Sequence, residues 1–167
     1  MATIKLKGNP ISTSGNLPAV GSKAPDFRLV TEELSDVTLA NYRGKKKILN
    51  IVPSLDTSVC ATSARKFNAR AKEIPGCVLL VISADLPFAS ERFRSNEHLD
   101  DIVTLSMMRS QDFARDYGVL MVDGPLAGLC ARAVVALDDS DRVLYTELVP
   151  ELGREPDYER VLAAVKG

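Results

Sequence analysis

Apolar and polar positions change their period several times along the chain, and each change marks an element. Residues 1–20 hold two short alternating stretches, Thr3 to Gly8 and Ile11 to Gly15, on either side of Asn9-Pro10, and Gly8 leaves the backbone free to reverse. They predict an N-terminal β-hairpin. Pro18 and Pro25 punctuate the next stretch of chain, and beyond it Phe27 to Val30 and Val37 to Leu39 predict two brief strands at a sheet edge. The run Lys47-Ile48-Leu49-Asn50-Ile51-Val52 is mostly apolar and stops at Pro53, the pattern of a strand covered on both faces. From Asp56-Thr57-Ser58 the period becomes helical: Cys60, Ala64, Phe67 and Ala71 share one face, while Arg65, Lys66, Arg70 and Lys72 occupy the others.

Strand and helix then alternate. Cys77 to Ser83 predicts a strand, Pro87 to Asn96 a helix, Ile102 to Leu105 a strand and Ser110 to Asp116 a helix. Ala131 to Leu137 and Arg142 to Val149 predict two apolar strands joined as an antiparallel hairpin by the polar turn Asp138-Asp139-Ser140-Asp141, and Pro156 to Lys166 predicts a closing helix. This order predicts an α/β three-layer sandwich, a central mixed sheet flanked by helices, of the thioredoxin-like kind with an N-terminal β-hairpin extension. Neither GxGxxG nor GxxxxGK followed by Ser or Thr occurs, which argues against a doubly wound nucleotide-binding sheet. With no repeat, low-complexity tract or long linker, residues 1–167 are expected to form one domain.

Composition narrows the function classes. The 21 Lys and Arg against 22 Asp and Glu leave no overall field to recruit nucleic acid or an anionic membrane, and 5% aromatics without Trp give bases nothing to stack on. Met1 to Asn9 interleaves lysines with apolar residues and lacks the apolar centre of a secretory signal, and charges interrupt every run short of the roughly 18 apolar residues that span a bilayer. A cytoplasmic protein with neither a membrane nor a nucleic-acid partner is expected. Cys60, Cys77 and Cys130 are an odd number without zinc-ligand spacing, so in a reducing compartment thiol chemistry is expected in place of structural disulfides.

The segment Pro53 to Cys60, Pro-x-x-x-Thr-x-x-Cys, leaves the buried strand and enters the helix. Such a junction points unpaired backbone N–H groups outward. With Thr57 or its neighbour as cap, Cys60 lies in the first turn, where the positive end of the helix dipole favours an anionic sulfur, the nucleophilic form. Its place on the apolar stripe keeps it near the core and limits water. A cysteine there could be only a small buried apolar residue; its fixed spacing from Pro53 and Thr57, between strand and helix, favours chemistry.

Together with that motif, Leu34 to Leu39, Val81 to Ala89, Tyr117 to Leu129, Ala131 to Val135 and Glu155 to Glu159 follow in an order that resembles the peroxiredoxins, specifically the thiol peroxidase branch of small bacterial proteins with an atypical two-cysteine cycle. The resemblance covers nearly the whole chain. It implies a peroxidatic cysteine at Cys60, shielding by Pro53, a hydrogen bond between Thr57 and the peroxide, Arg132 supplied from a later strand, and Arg109 as a supporting arginine. Each role has a physical basis: a guanidinium beside sulfur stabilises negative charge as an O–O bond breaks, a threonine hydroxyl can donate and accept, and proline adds shape without a donor. The activity implied is thiol-specific reduction of hydrogen peroxide and alkyl hydroperoxides to water and alcohols through a Cys60 sulfenic acid, re-reduced by a thioredoxin-like donor in antioxidant defence. The resemblance also implies a homodimer and a reaction that requires no cofactor, whether metal, haem or flavin.

One position departs from the branch. Its resolving cysteine lies in the helix after Val81 to Ala89, where this chain reads Arg92-Phe93-Arg94. Cys60 could be restored by an external thiol, by another cysteine of the chain or through a second subunit. Cys130, two residues before Arg132, shares its face if the strand begins that early, whereas Cys77 starts its strand and is expected far from the site. Arg94 is either a solvated residue or a change in the local charge met by the donor. A competing class is a redox-sensing interaction protein, in which oxidised Cys60 signals through a partner disulfide with little turnover. A general disulfide oxidoreductase is disfavoured because Ser63 stands where a CxxC pair needs its second cysteine. His98 is expected at a solvated helix end and Lys45-Lys46-Lys47 at a solvated strand start, while Leu86, Phe88, Met107 and Met108 either line an apolar mouth suited to alkyl hydroperoxides or pack in the core.

Overall fold

The computed structural model describes residues 1–167. Strands β1 (Thr3–Leu6) and β2 (Asn9–Ser12) form the antiparallel hairpin that the alternation predicts, with Ile4 opposite Ile11 and both buried. Gly8 closes the reversal at φ +82°, a conformation without penalty only for glycine.

The main sheet contains β3 (Leu29–Val30), β4 (Asp36–Val37), β5 (Lys46–Ile51), β6 (Cys77–Ser83), β7 (Val103–Ser106), β8 (Ala133–Leu137) and β9 (Val143–Leu148). Their spatial order is β4-β3-β7-β6-β5-β8-β9. Strands β5, β6 and β7 run parallel, and β3, β8 and β9 pair antiparallel with their neighbours, so the sheet is mixed. Four helices punctuate it: α1 (Ser58–Arg70), α2 (Pro87–Asn96), α3 (Asp112–Asp116) and α4 (Tyr158–Lys166).

Period-two alternation sends side chains to two separate cores. Leu49, Ile51, Leu80, Ile82, Ala133 and Val135 join the cluster that also holds Phe113 of α3 and the hairpin's Ile4 and Ile11. Ile48, Leu79, Val81, Val134 and Ala136 join the other, covered by Cys60, Ala64 and Phe67 of α1 and by Val161, Leu162 and Val165 of α4. Burial of Phe67 alone contributes about 2 kcal/mol. Because β5 is central and ends at Ile51, the chain emerges from the sheet's middle where α1 begins, and this places Cys60 over the second core.

Three expectations need correction. The brief edge strands shrink to two residues each, and the second stops at Val37 because Leu39 opens a 3-10 turn, whose entry is held by the Thr38 N–H donating to Asn41 Oδ1 at 2.8 Å. Strand β8 begins at Ala133, since the Ala131 N–H bonds the Val119 carbonyl and Cys130 bridges Leu120, tying both residues to the preceding loop. Lys47 is not solvated: it is wholly buried and its ammonium pairs with Asp141 in the β8–β9 turn. No helix is long and apolar enough to cross a membrane.

Candidate active site

The loop between β5 and α1 is held from below by Asp85, just past the end of β6. Its carboxylate accepts from Ser54 Oγ at 2.7 Å, from the Leu55 N–H at 2.7 Å and from Ser83 Oγ at 2.8 Å. Ser106 Oγ, at the end of β7, donates to the Asp85 carbonyl at 2.6 Å, so the ends of two strands fix this residue. Charge-assisted hydrogen bonds of this kind are about twice as strong as neutral ones, which gives the loop one conformation.

From that anchored loop, Thr57 caps α1. Its hydroxyl donates to the Ser54 carbonyl at 3.1 Å and accepts from the Cys60 N–H at 3.4 Å. The cap satisfies one of the free N–H groups of the first turn, and Ser58 starts the helix, so Cys60 occupies the third helical position. Thr57 is exposed, whereas Pro53 and Cys60 are buried. The capping residue thus stands at the surface while the sulfur lies buried one turn further into the helix.

Arg132 reaches the sulfur from the residue before β8. Alternation along β8 places it on the side of Val134 and Ala136, the α1 side of the sheet. Nη1 donates to Cys60 Sγ at 3.1 Å, while Nε and Nη2 donate to the Leu152 carbonyl at 3.2 and 3.0 Å. The residue is 2% exposed. Held on a carbonyl by two donors, the guanidinium cannot turn away from the sulfur, and a lysine, with one nitrogen, cannot bridge both partners in the same way. A fixed cation, a helix N-terminus and a buried sulfur thus converge, an arrangement that stabilises negative charge arriving at or leaving that atom.

Of the residues named from the sequence, Thr57, Cys60 and Arg132 are joined by hydrogen bonds into this one constellation, and Pro53 is buried in the loop that leads to it. Arg109 is held elsewhere. It sits beyond β7 with its guanidinium on Asp36 Oδ1 at 2.5 Å and on the Leu34 carbonyl at 3.3 Å, at the β4 edge of the sheet. Arg132 is the side chain that donates to Cys60 Sγ.

Neither remaining cysteine is near. Cys130 is wholly buried in the opposite core, with its Sγ 3.5 Å from Met107 Sδ, and burial pushes its thiol up to about 12. The expectation that it shares a face with Arg132 fails because alternation stops at that residue: Cys130 and Ala131, adjacent in sequence, both enter the same core. Cys77 pairs with Lys46 at the start of β6, whereas the site lies beyond the other end, where Ile82 pairs with Ile51. Burial, eased by Lys46 and Lys47, pushes its thiol up to about 11.

Arg94 is neither solvated nor beside the sulfur. Its guanidinium clasps Glu32, with Nε on Oε2 at 2.8 Å and Nη2 on Oε1 at 2.9 Å, and Thr104 donates to the same carboxylate. Burial alone would raise the Glu32 carboxyl, but the hydrogen bonds from Arg94 and Thr104 and the Arg94 charge outweigh it and hold the group below its usual range. Ser63 donates to the Cys60 carbonyl at 2.9 Å and accepts from Asn50 Nδ2 at 3.2 Å, a structural bond between α1 and β5. His98 is exposed, as expected. A cleft of about 680 Å³ beside the site is lined by Leu55, Asp85, Phe88 and Phe93 among others; Leu86 and Phe88 are exposed, but Met107 packs in the core and lines no mouth.

Sequence reasoning missed Asp85 and the Leu152 carbonyl. Asp85 carries a faint signal, since Ser83 and Asp85 at a strand end are residue types that bond to local backbone. A backbone carbonyl carries none.

Comparison with known proteins adds three findings. Residues 19–162 match the family model described as Redoxin. The chain is similar to two thiol peroxidases of Leptospira interrogans serogroup Icterohaemorrhagiae, from serovars copenhageni and Lai, each 50% identical over 166 residues that cover 98% of this chain and 97% of the relative. Among solved structures it is similar to a peroxiredoxin-like protein from Aquifex aeolicus, at TM-score 0.93 and 38% identity with 99% and 96% of the two chains covered. It is similar also to a thiol peroxidase from Chromobacterium violaceum, at TM-score 0.92 and 25% identity with 98% and 95% covered.

Proposed function

Because the chain belongs to the Redoxin family and matches thiol peroxidases along nearly its whole length, we propose that it is a thiol-specific peroxidase that reduces hydrogen peroxide and alkyl hydroperoxides with Cys60 as nucleophile. The observation that carries this reading is the 3.1 Å hydrogen bond from the buried Arg132 guanidinium to a sulfur in the first turn of a capped helix.

The residues divide the work. A hydroperoxide, R–O–O–H, arriving beside Thr57 donates a hydrogen bond to the threonine oxygen, whose own proton is committed to the Ser54 carbonyl, and keeps its proton on the terminal oxygen. The Cys60 sulfur anion forms a bond to the terminal oxygen as the O–O bond breaks. The electron pair of that bond leaves on the RO oxygen, which takes a proton from solvent to give the alcohol, or water when R is hydrogen. Sulfur is thereby oxidised by two electrons to the sulfenic acid, S–OH. Arg132 faces the charge throughout this transfer, and its grip on Leu152 means that no donor must reorient as charge moves. Pro53 closes the pocket without adding a competing N–H.

Re-reduction falls to a thioredoxin-like dithiol donor, the working form is a homodimer, and the compartment is the reducing cytoplasm. Family membership and three free cysteines support these assignments. Residues 1–167 act as one domain. The test is steady-state consumption of cumene hydroperoxide with thioredoxin, its reductase and NADPH. Wild type is expected to turn over while Cys60→Ser loses activity by about 1,000-fold or more; equal rates would overturn the reading.

A further inference from the structure

We infer that Cys60 works without any resolving cysteine in this chain, so that the thiol attacking its sulfenic acid belongs to another molecule. This inference rests on the peroxidase reading above and names the class of its second substrate.

Both internal candidates are excluded by the sheet itself. A disulfide needs Cα atoms no more than about 7 Å apart. Cys130 lies in the core on the far side of β8 from Cys60, so the hydrogen-bonded sheet stands between the two sulfurs. Loosening the first turn of α1 does not carry Cys60 through that layer, and freeing Cys130 means dismantling the loop that Ala131 and Cys130 tie to residues 119 and 120. Cys77 faces the correct core at the wrong end of it. Five residue steps along β6 separate its pairing with Lys46 from the Ile82–Ile51 pair where the loop to α1 leaves the sheet, which at about 3.3 Å per step is about 17 Å.

The helix that faces the site offers no substitute. Position 94 of α2 is filled by a guanidinium clasped to Glu32 on β3's outgoing loop, and that carboxylate is bonded in turn to Thr104 of β7. This clasp ties α2 to the sheet where a migrating helix would have to detach. A Cys60–Cys60 bond between two copies meets the same difficulty twice, because each Cys60 is wholly buried and two sealed sulfurs would have to open together. The Cys77 of a second copy, half-buried with its thiol pushed up to about 11, is a poorly ionised attacker.

The thiol therefore comes from outside, as a compact molecule T–SH or the exposed thiol of a donor protein. Its sulfur attacks the Cys60 sulfur and displaces hydroxide, which leaves as water with the thiol's proton: Cys60–S–OH and T–SH give Cys60–S–S–T and water. A second thiol then attacks the T sulfur, restoring Cys60–SH and releasing the disulfide T–S–S–T. The sum is one hydroperoxide and two thiols consumed, with one alcohol, one water and one disulfide formed.

The test begins with wild-type protein given one equivalent of cumene hydroperoxide in the absence of thiol, followed by peptide mass mapping. A sulfenic acid on Cys60, trapped by a cyclic dione, is expected. Adding glutathione should convert it to a Cys60–glutathione disulfide at a rate linear in glutathione. A disulfide from Cys60 to Cys77, to Cys130 or to a second copy would overturn this inference while leaving the peroxidase reading intact. Failure of Cys60 to gain oxygen at all would overturn both. As a second arm, Cys77→Ser with Cys130→Ala should keep glutathione-driven turnover within about threefold of wild type, and a larger loss contradicts the proposal; the wild-type mapping decides the matter if that variant folds poorly.

Discussion

The Thr57 hydroxyl has one proton, and in this structure that proton goes to the Ser54 carbonyl while the oxygen accepts from the Cys60 N–H. What remains is a single acceptor lone pair on an exposed residue, which suits a hydroperoxide proton. Thr57→Ser keeps this geometry and should keep the rate of Cys60 oxidation within a few-fold. Thr57→Val removes both cap and acceptor, so stability should fall by about 1 kcal/mol and the single-turnover rate by at least about tenfold, read from urea unfolding and rapid-mixing peroxide loss. Pro53, Thr57 and Cys60 were legible in the sequence because they lie in one continuous strand-to-helix junction whose spacing fixes their positions. Arg132 was legible only through family resemblance. Nothing local to Arg132 says that it reaches a helix 72 positions away, and the Leu152 carbonyl that steadies it has no sequence mark.

Two acidic residues fix elements around the fold, one at the site and one away from it. At the β6–α2 junction, Asp85 gathers Ser54, Leu55 and Ser83 onto one carboxylate. Asp85→Asn keeps the volume but gives up one accepting oxygen, leaving a hydroxyl or the Leu55 N–H without its partner. A loss of about 1–2 kcal/mol is expected. Because Asp85 positions the loop without touching the sulfur, Asp85→Asn should also slow peroxide reduction at saturating thiol while the glutathione step on preformed sulfenic acid changes little; equal slowing of both steps would point to general loosening. Farther along α2, Glu32 holds Arg94 with a carboxyl kept below its usual range. A lowered carboxyl contributes stability above the ordinary value near 4.5 and loses it as pH falls through the depressed one. Glu32→Gln should therefore be less stable than wild type at neutral pH and converge with it in acid, as denaturant midpoints between pH 7 and 2 would show. The helical and strand periods were readable along the chain, but this clasp was not. Glu32 and Arg94 are 62 positions apart, and periodicity carries no information about which charged side chains meet.

At the scale of the molecule, one mixed sheet separates two cores, and the separation keeps Cys130 from Cys60 while the length of β6 keeps Cys77 from it. The alternating order of strands and helices disclosed the sandwich, and the short N-terminal alternation disclosed the hairpin. Which face Cys130 takes was not disclosed, because that depends on where β8 starts, and the start is set by hydrogen bonds to Val119 and Leu120 and not by hydrophobic pattern. Lys47 misled for a related reason: its partner Asp141 lies across the fold, so a lysine in a basic run is wholly buried. Burial raises the Cys77 and Cys130 thiols to about 11 and about 12. A raised thiol keeps the folded state neutral while the unfolded chain ionises, so its contribution is intact below the ordinary value near 9 and declines as pH rises through the folded one. Stability should fall from pH 9 to 11, and Cys130→Ala should flatten that fall; an unchanged slope would contradict the buried placement.

The central claim is that the guanidinium of Arg132 drives oxygen transfer to Cys60. It is tested most directly by the single-turnover rate constant for Cys60 oxidation by cumene hydroperoxide in wild type and in Arg132→Met, measured at pH 7 under conditions where both are folded by circular dichroism. Loss of the fixed donor predicts a rate at least about 100-fold lower in the methionine variant, close to 2.7 kcal/mol in the barrier. Rate constants within twofold of one another would contradict the account.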